Sequence, residues 1–195
     1  GGYGVWRRLH QAKDWHKISE YHGAVTLAVD TLGNPWIVDN NNHIYRWNNE
    51  ESKFIRMPGA ASDIGIGADG SVWIISAVKA SNGYNIRRWN NNKNQWENVA
   101  GVANKIAVAS DGKAWISNAK GACYRWLGSK WEGLVGNAID VGVGATGSPY
   151  MVGSDNFVWR WNNPTKNWVK LIDGTASKIS VDQYGLPWII DPSGN

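Results

Sequence analysis

Short apolar stretches alternate with polar turns along the whole chain, and this alternation repeats about every 38 residues. In one repeat the apolar stretches are residues 64–66, 72–75, 86–89 and 96–99, which are rich in Ile, Val and Trp. None of them is long enough, or has the 3.6-residue period, for a helix, and their β-branched and aromatic side chains favour strands. The pattern therefore predicts four short β-strands in each repeat.

Aligned columns of residues indicate five repeats. Each repeat has an aromatic anchor, and we number the repeats as units one to five by their anchors, which are Trp36, Trp73, Trp115, Tyr150 and Trp188. A glycine stands three residues before every anchor, where it supplies the positive φ of a tight turn between the first two strands. All 14 tryptophans fall on four columns of this alignment, which is typical of a repeat protein.

The repeat predicts a β-propeller, because four antiparallel strands in a unit of this length are typical of a propeller blade. Residues 5–18 share the aromatic spacing of residues 158–171, so we expect the N-terminus to supply the third and fourth strands of unit five. We therefore expect an all-β, five-bladed β-propeller of four-stranded antiparallel blades, closed by N-terminal strands that complete the last blade. Closure would leave no open sheet edge and would bury Trp6 and Trp15.

Composition adds few constraints to this picture. Five units account for residues 1–195 as one domain. The net charge of +4 is small and the basic residues are spread along the units, so nucleic acid is not an expected partner. No apolar segment approaches 18 residues, so we expect no membrane span. Cys123 is the only cysteine, and its place on a third strand favours a buried structural thiol over a reactive one.

Catalytic chemistry has no support in the sequence. The histidines are His10, His16, His22 and His43, and none has metal-ligand spacing within a strand. No phosphate-binding glycine loop, Cys–His pair or nucleophile elbow occurs. We therefore expect a protein that is not an enzyme and that needs neither a cofactor nor a metal.

The tryptophan and arginine columns each have two interpretations. A tryptophan repeated in every unit first fills space between blades, although an exposed edge could also stack on a sugar ring. An arginine precedes the closing aromatic position in all five units, at Arg7, Arg46, Arg88, Arg125 and Arg160. These arginines either stack on a neighbouring Trp or pair with a loop carboxylate, or they contact sugar hydroxyls or an anionic glycan.

Topology places the variable polar loops on one face of the expected ring. These loops, between second and third strands, are residues 39–43, 76–85, 117–122, 153–156 and 191–195. Variable loops on a rigid scaffold are where binding specificity usually resides. Together with the arginine column they give the candidate carbohydrate-binding residues, which are Asp39, Asn41, Arg46, Ser76, Tyr84, Arg88, Asn118, Arg125, Asp155, Arg160 and Asp191.

The clearest unit resembles a known repeat family. It contains Trp96 and Gly101, then an I-x-V-x-x-D-G-x-x-W hairpin from Ile106 to Trp115, and a closing Tyr-Arg-Trp that ends at Trp126. This combination resembles the tectonin repeat, and the resemblance covers the whole chain. The best-known tectonin lectins are six-bladed, whereas this chain has five units.

The resemblance to tectonin lectins implies a function. It implies a β-propeller lectin that binds glycans on cell or microbial surfaces, as in innate recognition, through several weak sites between blades. It also slightly favours an extracellular or cell-surface location. Related repeats occur in intracellular proteins of membrane traffic, so a scaffold that binds a protein partner or self-associates is the alternative.

Overall fold

The computed structural model describes residues 3–8 and 14–193, without the side chains of residues 19–22 and 172–173. These residues form seventeen β-strands and no helix, which confirms the all-β prediction. The strands are β1 (Tyr3–Arg8), β2 (Trp15–Val29), β3 (Pro35–Asp39), β4 (His43–Asn48), β5 (Lys53–Ile66), β6 (Val72–Ala80), β7 (Gly83–Asn90), β8 (Gln95–Ala103), β9 (Lys105–Val108), β10 (Ala114–Ser117), β11 (Ala122–Trp126), β12 (Trp131–Val143), β13 (Pro149–Gly153), β14 (Phe157–Asn162), β15 (Asn167–Thr175), β16 (Lys178–Val181) and β17 (Pro187–Ile190).

The strands pair as an antiparallel meander in chain order. β1 to β8 form one sheet, β9 to β15 a second, and β16 and β17 a third. Each unit contributes an inner first strand and an outer fourth strand to this order. The meander is consistent with a β-propeller, in which each blade is such a four-stranded unit.

Three strands are longer than the sequence pattern predicts. β2, β5 and β12 have 15, 14 and 13 residues, because the fourth strand of one unit continues directly into the first strand of the next. Register shifts at residues 24–26, 61–63 and 138–140 mark these transitions. A bulge bends a strand without ending it, so the expectation of separate short strands is wrong at these places.

The turns between first and second strands confirm the glycine prediction. The glycine three residues before each anchor has a positive φ, between 73° and 83°. These glycines are Gly33, Gly70, Gly112, Gly147 and Gly185. In unit two, for example, the Gly70 N–H donates to the Gly67 carbonyl at 2.9 Å. The tight turn is therefore a shared element of all five units.

Two kinds of tryptophan contact join consecutive units. The anchor of one unit packs edge-to-face on the closing tryptophan of the next, as in Trp115 against Trp161 with ring centroids 6.4 Å apart. In the opposite direction, a fourth-strand indole N–H donates to a carbonyl of the preceding unit. Trp131 reaches Ala100 at 2.6 Å and Trp168 reaches Val135 at 2.7 Å. For the tryptophans that make these contacts the packing interpretation is confirmed.

Unit five differs from the others. Its first half, β16 and β17, packs on unit four, where Ile179 contacts the cluster of Tyr150 and Val152. The strands expected to be its second half, β1 and the start of β2, pack on unit one, where Val5 and Ile37 share a cluster. Among the pairings of the described residues, β17 and β1 are not hydrogen-bonded to each other. We call this gap between β17 and β1 the seam.

The expected burial of Trp6 and Trp15 is wrong. Trp6 is 53% exposed and Trp15 is 63% exposed, and on the other side of the seam Trp188 is 68% exposed. These rings would be buried only if the strands on the two sides of the seam, β17 and β1, packed together over them. Each half of unit five is seated on one neighbour only, so the rings remain at the surface.

A central channel passes between the inner strands. Residues from the first strands of all five units line it, and its volume is about 910 Å³. This arrangement places the loops between second and third strands around one mouth of the channel. No helix of the described residues is long and apolar enough to cross a membrane.

Candidate functional site

The loops between second and third strands hold their shape with a side-chain oxygen at their first position. In unit one, Asp39 Oδ1 accepts from the N–H groups of Asn41 and His43, at 2.8 and 2.7 Å. In unit three, Asn118 Oδ1 accepts from the N–H groups of Lys120 and Ala122, at 2.9 and 3.1 Å. These oxygens are thus used inside their own loops, as Asx turns use them.

Two further candidates have the same local role. Ser76 is fully buried and its Oγ accepts from the Val78 N–H at 3.1 Å. Asp191 Oδ1 accepts from the N–H and the hydroxyl of Ser193, at 2.9 and 2.7 Å.

The residues expected to form a loop at 76–85 instead extend a β-hairpin, in which Lys79 pairs with Tyr84. Tyr84 packs against the core cluster of units two and three.

Unit four has a different loop, because Gly153 stands where the other units have Asp, Ser or Asn. The Asp155 carboxylate takes over the missing role. Its Oδ1 accepts from the Phe157 N–H at 3.1 Å and from the Trp159 indole N–H at 3.2 Å. A Cβ at Gly153 would clash with Asp155 Oδ1 and lie 2.9 Å from Trp159 Nε1. The glycine therefore creates the space in which the carboxylate and the indole meet.

This loop forms one wall of a pocket between units three and four. The pocket has a volume of about 260 Å³, and its lining includes Asn137, Ser154, Asp155, Trp159 and Asn167. Four of these side chains are exposed, and Trp159 is half-buried. A partly exposed indole face therefore lies beside a hydroxyl, two amides and a carboxylate, which together offer both donors and acceptors. We call this cavity the Trp159 pocket.

The Asp155 carboxylate is anionic at neutral pH. Slight burial acts to raise its pKa, but the hydrogen bonds from Trp159 and Phe157 outweigh it and hold the pKa below its ordinary value. Lys170 adds a favourable charge, with its Nζ 5.9 Å from the Trp159 ring centroid. The Oδ2 atom of Asp155 takes no part in the two bonds that position the carboxylate, so it can accept from a ligand.

The arginine column lies away from this pocket. Arg46 and Arg88 stack over the anchors of their own units, 5.7 and 5.3 Å from the rings of Trp36 and Trp73. Both lie at the end of the third strand, next to the turns on the opposite face from the loops. The stacking interpretation is confirmed for these two arginines.

Arg125 is held in the same way and by more partners. Its guanidinium lies 5.3 Å from the Trp115 ring, its Nε donates to Glu132 at 3.0 Å, and it reaches Asn163 of unit four at 3.5 Å. Arg160 is exposed and stands opposite Tyr150 in the strand register. The structure therefore separates the arginine candidates from the loop candidates and does not bring them into one site.

Sequence reasoning selected Asp155 but missed the residues around it. Trp159 was grouped with packing residues, and Asn137 and Asn167 belong to the regular parts of units three and four. One signal was available, since Gly153 is the only glycine at the first loop position of the five units. Asn41 occupies the position of Asp155 in unit one and is also exposed.

Two other sequence expectations concern reactive groups. Cys123 is 2% exposed, and burial raises the pKa of its thiol to about 11, which confirms a buried structural thiol. Among the described side chains, which do not include those of residues 19–22 and 172–173, no three of His, Cys, Asp or Glu are grouped so that they could hold a metal ion. His10 lies outside the described residues.

Comparison with known proteins adds no family assignment. No protein-family model matches the chain, and no curated protein matches it.

Proposed function

We propose that this protein is a carbohydrate-binding lectin of the tectonin-repeat type, with the Trp159 pocket as its best-formed site. The observation that carries the proposal is the half-buried Trp159 indole beside the anionic Asp155. An indole face stacks on the apolar face of a sugar ring, and a carboxylate accepts from two neighbouring hydroxyls. Neutral amides at Asn137 and Asn167 supply further donors and acceptors around the same space.

The proposed fold is a closed five-bladed propeller. It is supported by the channel that all five inner strands line. It is also supported by the packing of the two halves of unit five on units four and one, which are the neighbours that closure requires. In unit one Trp36 stands opposite Arg46, so closure would place Trp188 opposite Arg7. A double variant, Arg7→Cys with Trp188→Cys, should form a disulfide in a monomer, because opposite Cα atoms in a sheet are about 4.5–5.5 Å apart. A persistently reduced pair would refute closure.

Other units add weaker sites to the lectin. The unit-one loop has the backbone shape of the unit-four loop, with Asn42 and Asn156 at φ of 64° and 63°. It carries Asn41 where unit four has Asp155, and therefore has no charged acceptor there. Sites on one rigid ring can bind a glycan-coated surface together, which raises affinity by about 10²–10⁴ when their spacing fits.

The site is tested by glycan-array screening followed by calorimetry on the best ligand. Trp159→Ala and Asp155→Ala should each weaken binding at least about tenfold, because each removes a direct ligand contact. Asn41→Ala is the matched control, since it changes the equivalent position of a loop with the same backbone. The proposal fails if no glycan surface gives a signal, or if the control weakens binding as much as Asp155→Ala.

A second candidate function is a protein-interaction scaffold. It is favoured by the strands at the seam, where Trp188 and Trp6 are exposed and β17 and β1 are edge strands among the described pairings. Such edges readily pair with another chain. A protein partner that is captured equally well with and without excess free glycan would favour the scaffold over the lectin.

A further inference from the structure

The Trp159 pocket continues toward the central channel. A second cavity of about 420 Å³ lies beside it, and the two share Asn137 and Ser154 in their linings. The second cavity in turn shares Lys105 with the channel. A groove therefore runs along the loop face from Trp159 to the channel mouth, and we call it the polar groove.

Size indicates that the polar groove suits a ligand longer than one sugar. The Trp159 pocket alone, at about 260 Å³, is smaller than the usual ligand site of about 300–1,000 Å³. Joined to the neighbouring cavity of about 420 Å³, it falls within that range. An oligosaccharide would therefore fill the groove better than a monosaccharide.

The charges of the polar groove are separated along its length. Asp155 is the ionisable residue in the lining of the outer pocket, whereas Lys105 and Lys120 are the ionisable residues of the inner cavity. Lys120 has an exposed side chain on a loop that Asn118 holds in place. Among the described residues, no carboxylate lies within ion-pair distance of Lys120.

The channel beside the inner cavity carries charges of both signs, because its lining includes Lys105, Lys178, Asp63 and Asp140. Lys105 lies 3.9 Å from Asp63 Oδ2, and Lys178 begins the first strand of unit five. Burial, and then the neighbouring Lys105 ammonium, lower the pKa of Lys178, while burial raises the pKa of Asp63 and Asp140. An anion near Lys105 and Lys178 would oppose the lowering of the Lys178 pKa.

One polar atom in the wall of the inner cavity lacks a partner. Asn104 Oδ1 is buried and accepts no hydrogen bond from the described residues, and Asn104 lies in the cavity lining. Buried acceptors nearly always find a donor in a folded protein or its ligands. A ligand hydroxyl beside this amide would supply that donor after a small rotation of the side chain.

Resting on the lectin function proposed above, we propose that the ligand is an acidic oligosaccharide. Its neutral unit stacks on Trp159 and bonds to Asp155, and its carboxylate or sulfate group lies against Lys120 and Lys105. The charge separation of the polar groove fixes this orientation, because the reverse one would place the anionic group beside Asp155.

Matched ligand pairs test the charge. A trigalacturonate and its methyl ester differ only in the carboxylates, and chitobiose with and without a 6-O-sulfate differs only in the sulfate. Calorimetry at low salt should give about tenfold tighter binding for the acidic member of at least one pair, and the advantage should shrink at high salt because exposed charges are screened. The pair that shows the difference identifies the anionic group.

Matched variants test the position. Lys120→Gln should weaken binding of the acidic member about two- to fivefold, the size expected for one exposed ion pair, and leave the neutral member unchanged. Lys130→Gln removes the same charge from an exposed position in the turn between β11 and β12, on the opposite face, and should change neither. Equal affinities within both pairs would overturn this inference while the lectin function stands. No binding by any of the four ligands would overturn this inference too, whereas the lectin function fails only if the glycan array also gives no signal.

Discussion

The junction between units three and four and the seam contain the same columns of residues in different environments. Trp168 is 7% exposed at the junction, whereas Trp15 of the same column is 63% exposed at the seam. The anchors Trp115 and Trp188 differ in the same way, at 6% and 68%. Since the residue types are equal, the difference comes from the neighbouring unit, which supplies the second surface for each ring.

This comparison shows that a propeller interface is formed by pairs of units and not by single units. At the junction, the Trp168 N–H donates to the Val135 carbonyl of the preceding unit. Gly136 next to it leaves room for the ring, because a Cβ there would lie 3.2 Å from Trp168 Cδ1. Unit four also has a positive-φ glycine for this role, Gly174, with φ of 94°. Its partner across the seam in a closed ring would be Trp15.

The largest expected effect is the loss of the N-terminal half of unit five. Deleting residues 1–18 removes Val5 and Ile18, which cover Ile37 and Phe54 of unit one. We expect the deleted chain to aggregate or to lose its cooperative unfolding transition, measured by thermal circular dichroism. A double change, Trp6→Ser with Trp15→Ser, keeps both strands and should lower the melting temperature only slightly if the seam is open. An unchanged melting temperature for the deletion would contradict the packing on unit one.

A smaller effect separates a junction anchor from the seam anchor. Trp73→Ala removes a fully buried ring and should lower the free energy of unfolding by about 3–5 kcal/mol. Trp188→Ala removes a ring that is mostly exposed at the open seam, so it should cost less than about 1 kcal/mol in that state and about as much as Trp73→Ala where the propeller closes as proposed. Urea unfolding of both variants measures the difference. Equal costs would mean that the seam is closed in solution and that Trp188 is buried there.

The indole N–H contacts give a finer test of the same comparison. Trp168→Phe removes the hydrogen bond to the Val135 carbonyl, which is 2.7 Å long, and should cost about 1 kcal/mol in the free energy of unfolding. Trp15→Phe should be nearly neutral if Trp15 has no such partner. A cost at Trp15 comparable to that at Trp168 would show that Trp15 reaches the carbonyl before Gly174.

The smallest effect concerns the buried carboxylates of the junctions. Asp63 Oδ2 accepts from the Ile106 N–H of the next unit at 3.1 Å, and burial raises the pKa of Asp63 above its ordinary 3.8. The unfolded chain therefore loses this proton at lower pH than the folded chain does. The contribution of Asp63 to stability falls as pH rises from the ordinary pKa through the raised one.

Asp63→Asn keeps an acceptor for Ile106 and removes the titration. The free energy of unfolding of the variant, minus that of the wild-type protein, should therefore be more positive near neutral pH than below about pH 4. Urea unfolding at both pH values checks the sign. Asp111→Asn is the control, because the pKa of Asp111 is lowered and its pH dependence should run the other way.

Much of the fold followed from the sequence because it depends on local chemistry. The positive φ of Gly70 and its counterparts is required by a tight turn, whatever surrounds it. The short apolar stretches around Trp73 are rich in β-branched and aromatic residues, and they predict strands for the same reason. The continuous strands β2, β5 and β12 were not predictable in this way. The same residues can form a bulge or a loop, and the two differ only in whether the hydrogen bonds between the strands resume beyond those residues.

The candidate site was harder to predict. Asp39 and Asn118 look like ligand-binding residues in a polar loop, yet their oxygens bind their own backbone. Asp155 also accepts from its own loop, but it meets the Trp159 indole as well, because Gly153 leaves room for both groups. Residues 137 and 167, which complete the Trp159 pocket, come from strand edges that only the packing of units three and four brings together.

The sequence by itself determined the all-β class, the five units and the glycine turns, since each depends on residues close together in the chain. Only the tertiary structure decided which tryptophans are buried, where the polar groove runs and which side chains face one another across it. Burial and cavity shape depend on the distance between units, and no residue type specifies that distance alone. The different exposures of Trp168 and Trp15 follow from this physical reason.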